Sequence, residues 1–521
     1  MFEMLNCLDK RTEKWKWNII CFFSVLIMMF IFLEIKNVNE YYYDSIYYSG
    51  IAETIVGDGL NHDGDYYDQL GNSGFKINLL NYPETFRGYF WPTIIGLTRG
   101  ACIVLLKNGY IGWRIIASFM MAIILTFALP GVFRKKIMTL SDFLRVMLMM
   151  VVVLIYWGDF LSFPLSDMAA FGFVCCGVAL VRHILEDTIQ EKGKIIIQAI
   201  LAGICFYASY NTRVAYLYSF IAVVCVLGYQ VMKQKQLKKS LVMLLPMLLG
   251  MLLIATPQMA INHKYTGNFT PRVITEQYSN YEKGLDCLQV LGGISHQRYE
   301  TFNGDEAEYP YCIIYSDDPV GLELIERENI TAETFGYSTV IKLFFKYPLD
   351  VAGIYVRHFI NLLTPVFSQV YVTNVHTSKG VFVSCSIWMW LIAGLMMIVE
   401  LKVRKKHVTT AEQSVSDSKM FNLCLGVAII VSNLLQCMGM PELRFFIGVH
   451  MMMYFYLFVH VDWSNSWNTI KKNKVSILCV MCMLYLLWIS LVGDTLANSQ
   501  YKTLLINDRM PTEIQASVNE K

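Results

Sequence analysis

Asp44 stands among tyrosines in NVNEYYYDSIYYSGIAETI, residues 37–55, immediately after a long apolar run. A carboxylate partly desolvated by aromatic neighbours has its pKa raised toward the range of a useful general base. The stretch DSIYYSGIAETI is compatible with a helix, on which Asp44, Tyr48 and Ala52 share a face. The same position suits a helix N-cap, which Asp fills well. A second acid, Asp167, follows Pro164 and Ser166 where another apolar run begins, with Asp159 nearby. Guanidinium groups occupy comparable boundaries: Arg213 in SYNTRVAYLY, Arg357 beside His358 in IYVRHFINLLTP, and Arg444 two residues after Glu442 in MGMPELRFFIG. Such forks match phosphate oxygens bidentately. Singly, each Arg reads as a helix-end anchor, or in Arg444 as a partner for Glu442. As a set, acids and arginines gathering at one mouth read as a site.

The elements that must position these groups are apolar helices. The chain has 521 residues, 55% hydrophobic and only 16% charged, against about a quarter charged in ordinary globular domains. Apolar runs recur at 17–35, 112–132, 143–158, 166–182, 195–211, 215–232, 241–260, 380–401, 420–439, 445–461 and 475–493. Each is long enough to cross a hydrocarbon core of about 30 Å. The expected fold is therefore an all-α polytopic membrane protein with about eleven transmembrane helices. The first run lacks a small-residue cleavage pattern and reads as a retained helix. Six Lys/Arg clusters, beginning with Lys10/Arg11/Lys14/Lys16 and ending with Lys471/Lys472/Lys474, all fall on one side of this layout. That side is then cytosolic, with the N-terminus inside and the C-terminus outside, as for a plasma-membrane protein.

Residues 88–106 are apolar enough to raise the question of a twelfth span. Crossing would reverse the side of Arg134/Lys135/Lys136 and carry Arg99 into lipid, at a cost of a few kcal/mol. A helix on or dipping into the outer leaflet is expected instead, its Arg and Trp at headgroup level. The layout divides into an N-terminal transmembrane module, 1–260, with an acidic first outer loop at 36–111. An extracytosolic region, 261–379, follows, then C-terminal helices at 380–493 and an outer tail, 494–521. Both excursions read as mainly helical and irregular, and 337–365 as an interfacial helix broken near Pro348. The acidic tract GDGLNHDGDYYDQLGN, 57–72, lacks the spacing of an EF-hand. No cofactor motif stands out, and a divalent metal is possible. Cys479 and Cys482 lie inside an apolar run. Cys287 and Cys312 lie in a polar stretch, where a disulfide is possible if the compartment is oxidising.

The order of short motifs resembles the C-type (GT-C) membrane glycosyltransferases, in particular bacterial members that use polyprenyl-phosphate sugars. The pieces are Asp44-Ser45-Ile46-Tyr47-Tyr48, then Arg87-Gly88-Tyr89 through Pro92, and Gly112-Trp113-Arg114. Pro164 through Ala169 and Tyr210-Asn211-Thr212-Arg213 follow. Pro257-Gln258, Ile261-Asn262, Gly267 and Pro271 come next, then Glu442-Leu443-Arg444-Phe445. The resemblance implies Asp44 as catalytic base or acceptor-positioning group and Asp167 as the second acid. It implies Arg213, Arg444 and Arg357 as ligands of the carrier phosphate, with Tyr48, Arg87 and His358 as candidate substrate contacts. A large C-terminal soluble domain present in some relatives has no counterpart in this sequence, so a branch other than the oligosaccharyl-transferring one is expected. The implied partners are a polyprenyl-phosphate-linked sugar donor, a glycan, lipid or protein acceptor, and membrane lipids, with no nucleic acid. A transporter or flippase, or a polysaccharide polymerase or ligase, is the alternative. Transporters place ionisable groups at mid-depth on broken helices, whereas these helix interiors are nearly uncharged.

Overall fold

The computed structural model describes residues 2–38, 44–56, 77–81, 87–186, 191–234, 237–274, 285–303, 311–366, 379–405, 413–463, 470–471 and 474–503. In chain order the helices are α1 (Phe2–Lys36), α2 (Asp44–Val56), α3 (Phe90–Leu106), α4 (Tyr110–Phe133), α5 (Leu140–Leu161) and α6 (Asp167–Glu186). They continue with α7 (Lys192–Thr212), α8 (Tyr216–Gln234), α9 (Leu237–Thr266), α10 (Leu285–Ser295), α11 (Pro319–Arg327) and α12 (Tyr337–Lys346). Then come α13 (Pro348–Leu362), α14 (Lys379–Lys405), α15 (Gln413–Leu435), α16 (Leu443–His460) and α17 (Lys474–Ala497). Nine helices among the described residues are long and apolar enough to cross a membrane, as expected of a polytopic protein. Two more of the expected spans coincide with α8 and α15.

Two compact units divide the chain. The first comprises Met1–Val273, Val408–Ser432 and Tyr454–Val461. Its helices show why hydrophobicity alone does not mark the core. On α1, Cys21, Val25, Met29 and Leu33 form a buried stripe, while Ile19, Phe23, Ile27, Ile31 and Ile35 form an exposed one. Both faces are apolar, which suits a helix bounded by protein on one side and lipid on the other. Helices α7 and α9 pack at glycines: a Cβ on Gly203 would lie 1.9 Å from the Met247 carbonyl oxygen, and one on Gly250 2.1 Å from that of Ile200. Small residues permit this close approach, and apolar helices in lipid associate largely through it.

Helix α3 packs between α2 and α4. Its Arg99 is only 3% exposed, paired with Glu53 at 3.1 Å and donating to Ser49. Trp91 is likewise buried, edge-on to Trp113 at 6.0 Å. Arg99 and Trp91 are therefore enclosed by protein and do not face out of it. An acid on a neighbouring helix supplies the counter-charge, so the guanidinium turns inward.

The second unit comprises Ile274–His407, Asn433–Met453 and Asp462–Lys521. It carries a feature absent from the sequence reading, a three-stranded antiparallel sheet of β1 (His296–Asn303), β2 (Tyr311–Asp317) and β3 (Gln500–Thr503) in that order. Register runs from His296 opposite Asp317 to Asn303 opposite Tyr311, with an irregularity between His296 and Arg298. Cys312 pairs with Thr503. Ile314 of β2 shares a core cluster with Val366, with Val383 and Ile387 of α14, and with Val492 of α17. Asp318 then caps α11, accepting from the Val320 and Gly321 backbone N–H groups at 3.1 and 3.0 Å.

Candidate functional site

In the first unit, Asp44 occupies the first turn of α2, where a carboxylate complements the helix dipole. Arg87 Nη2 donates to Asp44 Oδ1 at 2.6 Å. The same guanidinium lies over the Tyr48 ring, 4.7 Å from its centroid, and over Tyr47 at 5.6 Å. Burial acts to strip the Arg87 proton, but Asp44 and Tyr48 outweigh it and push the pKa above its ordinary value. Arg87 is thus a fixed cation. The Tyr48 hydroxyl donates to Ser166 Oγ at 2.8 Å in a buried contact. The residue after Ser166 is Asp167, which opens α6 and pairs with Arg213 Nη1 at 2.5 Å. Arg213 in turn caps the C-terminus of α7, so acid and base each sit at the helix end whose dipole favours them. Asp44, Arg87, Tyr48 and Ser166 form one set of polar contacts and Asp167 with Arg213 another, the two joined by the Ser166–Asp167 peptide bond and drawn from four stretches of sequence.

Buried amides hold these contacts in place. A Cβ on Gly88 would lie 1.7 Å from the Asn211 carbonyl oxygen, so only glycine lets the segment after Arg87 rest on the end of α7. The Phe90 N–H donates to Asn211 Oδ1 at 2.9 Å, and Asn211 Nδ2 to Gln258 Oε1 at 2.8 Å. Gln258 Nε2 continues to Asn262 Oδ1 at 3.0 Å. Asn262 Nδ2 ends the relay on the Thr270 and Arg272 carbonyls, both at 2.7 Å. All three amides are buried, and a buried amide left unpaired is costly. The relay fixes the Arg87 segment, the α7 terminus beside Arg213 and the 270–272 segment against one another. Three of the short motifs named above meet here.

The second unit holds the remaining arginines in two further groups. Arg357 Nε and Nη2 both donate to the Asp318 carboxylate, each at 2.8 Å. That carboxylate is buried and also caps α11. Arg444 Nε donates to Glu442 Oε2 at 2.5 Å. Beside them Glu300 accepts from the Leu443 N–H at 3.2 Å and from Arg298 Nη2 at 3.4 Å. Arg298, Glu300, Glu442 and Arg444 are all buried. Burial raises the Glu300 pKa to about 7; Arg298 opposes the shift and Glu442 adds to it. His358 is buried, its Nδ1 and Nε2 each 2.7 Å from a carbonyl oxygen, those of Cys437 and His296. Burial lowers its pKa against the pull of those carbonyls. His358 thus lies between two chain segments, within hydrogen-bond distance of a carbonyl of each.

Each arginine expected to hold phosphate is thus matched to a carboxylate: Arg213 to Asp167, Arg357 to Asp318, Arg444 to Glu442. Arg298, Glu300 and Asp318 are the polar members that the sequence reading missed, and Ser166 carried no role of its own there. Arg298 and Glu300 did carry a signal, since charged residues two apart flanking Tyr299 share one face of a strand. No group of three or more His, Cys, Asp or Glu residues suited to a metal occurs among the described residues. The acidic tract at 57–72 and the side chain of Cys312 lie outside them. No protein-family model, curated protein or solved structure matches the chain.

Proposed function

We propose that this chain is an integral-membrane glycosyltransferase of the GT-C type, moving a sugar from a polyprenyl-phosphate carrier to an acceptor at the outer face of the membrane. The observation that carries the reading is the pair of adjoining contact sets, Asp44 with Arg87, Tyr48 and Ser166, and Asp167 with Arg213. It gathers acids and guanidiniums where helices begin and end, the arrangement needed to meet a lipid-borne phosphate at a membrane boundary. The arginines rest on internal carboxylates, which act as counter-ions until a substrate phosphate competes for the same forks. Arg87 and Arg213 would then stabilise charge on the departing lipid phosphate, with Arg357 and Arg444 as further candidates. Displacement of Asp44 from Arg87 leaves a carboxylate to accept the acceptor hydroxyl proton as its oxygen attacks the anomeric carbon. The bond from that carbon to the phosphate oxygen breaks, and its electron pair stays on the phosphate.

The layout that accompanies this reading has about eleven spans, a cytosolic N-terminus and an extracytosolic C-terminus in the plasma membrane. The test is incubation of the purified protein with radiolabelled polyprenyl-phosphate sugars and candidate acceptors. Transfer of label should occur with the wild type and fall by about 10²–10⁴-fold in Asp44→Asn, the usual contribution of a general base. No transfer from any donor, or full transfer by Asp44→Asn, overturns the proposal.

A further inference from the structure

Helices α12 and α13 each present three faces. On α12, Val340 and Leu343 are buried, whereas Tyr337, Ile341, Phe344 and Phe345 form a contiguous exposed arc with Lys342 and Lys346 beside it. On α13, Val351, Ile354, His358 and Leu362 are buried. Leu349, Val356 and Phe359 make an exposed apolar stripe, and Asp350 and Arg357 lie on a third face. Phe345 is 80% and Leu349 85% exposed, at the elbow where the two helices meet. Exposed apolar area this continuous is a contact surface, not a water-facing one.

Hydrogen bonds inside the same unit identify what covers it. Ser386 of α14 donates to the Leu363 carbonyl at 3.2 Å, His450 of α16 lies 2.9 Å from that of Leu362, and Trp488 of α17 donates to Thr364 Oγ1 at 2.9 Å. Ser386 is six residues inside the span Gly380–Glu400, His450 seven inside Leu443–His460 and Trp488 nine from the end of Lys474–Ala497. Asn361 of the same turn donates to Thr495 Oγ1 at 3.3 Å, two residues from the end of α17, so at 1.5 Å per residue the end of α13 lies about 3–14 Å below the ends of three spanning helices. At 15 residues, about 22 Å, α13 is too short to span a core of about 30 Å by itself, and Arg357, His358 and Asn361 tie it to Asp318, His296 and Gln297 beside the sheet. Helix α13 packs against α17, on which Leu484, Leu487 and Leu491 are also exposed.

We propose that α12 and α13 form a wedge lying in the plane of one membrane leaflet. Their exposed arcs contact acyl chains, and Lys342 and Lys346 stand at headgroup level. A helix with an apolar arc, a basic edge and a length too short to span sinks about 5–10 Å into the interface, within the range of depths at which the end of α13 is anchored. Tyr347 and Lys346, both bonded to Glu328 at 2.6 Å, keep the polar edge neutralised beside the elbow. This placement stands independently of any transferase activity.

The test incorporates the photo-crosslinker p-benzoylphenylalanine at Phe345, Leu349 or Phe359 of the full chain. The protein is reconstituted in vesicles of phosphatidylethanolamine and tritiated phosphatidylglycerol. Leu487 on α17 is the lipid-facing reference and exposed Glu323 on α11 the polar one. All three wedge positions should take up lipid label as Leu487 does, about tenfold above Glu323, since interfacial burial removes them from water. Label at Phe359 alone overturns the wedge, because the elbow would then stand clear of the leaflet. Crosslinks from Phe345 or Leu349 to a second copy or another protein, in place of lipid, also overturn it.

Discussion

Glu300 and Asp44 are both carboxylates beside an arginine, yet their surroundings assign them different work. Asp44 sits at a helix start with part of its side chain open, whereas Glu300 is enclosed with Arg298, Glu442 and Arg444. Burial moves the Glu300 pKa from about 4.5 to about 7. Between those values the folded protein keeps a proton that the unfolded chain has released. Stability therefore falls as pH rises through this window and the whole loss is in place above it, on the order of 3 kcal/mol at about 1.4 kcal/mol per pKa unit. Glu300→Gln, neutral at every pH, should remove that dependence. Thermal unfolding of the purified protein should show the variant gaining on the wild type from pH 5 to pH 8. A constant difference would exclude Glu300 as the titrating group. Asp44, Asp167 and Arg213 were legible in the sequence because they are charged residues at the ends of apolar runs. Asp318 was not, since nothing in its spacing distinguishes it from an ordinary cap, and Ser166 entered only as a neighbour of Asp167.

Element by element, apolar periodicity was enough to locate the long helices, because length and hydropathy alone decide them. It could not show the sheet. β3 contributes four residues, and its partner strand lies more than 180 positions earlier in the chain, a distance over which no local pattern carries information. The Arg99 pairing was hidden for a related reason, because its partner Glu53 belongs to α2. Elements that touch through backbone give the sharpest test. Ala at position 88 would drive its Cβ into the Asn211 backbone, which has no flexible end to move aside. Gly88→Ala should therefore separate the Arg87 segment from the α7 terminus, lowering the melting temperature and any transferase activity together. Gly50, inside α2 with open space around its Cβ position, is the control. Gly50→Ala should be neutral or stabilising by about 0.5–1 kcal/mol, the usual helix preference for alanine. Equal loss in both variants would show that the first is not reporting the Asn211 contact.

At the scale of the whole molecule, the pairing of β2 with β3 constrains how often the chain crosses the membrane. Residues 311–317 and 500–503 are hydrogen-bonded neighbours, so an even number of crossings must separate them. Of the helices between them, α14, α16 and α17 are long and apolar enough to cross by themselves, which makes three. Parity is restored if α15 crosses as well and α13 does not, which agrees with a wedge that enters a leaflet without traversing it. The charge bias reaches the same layout from different physics, since Lys402/Arg404/Lys405/Lys406 and Lys471/Lys472/Lys474 then share a side. An epitope inserted after Glu333 and one fused at the C-terminus should accordingly be cleaved together by an impermeant protease added to intact cells. One placed in the 406–412 connection should survive until the cells are opened. Protection of the C-terminal epitope with cleavage of the one at Glu333 would mean an odd number of crossings. No continuous sheet can be built across a bilayer core, where every unpaired backbone group is costly, so that result would dissolve the pairing itself.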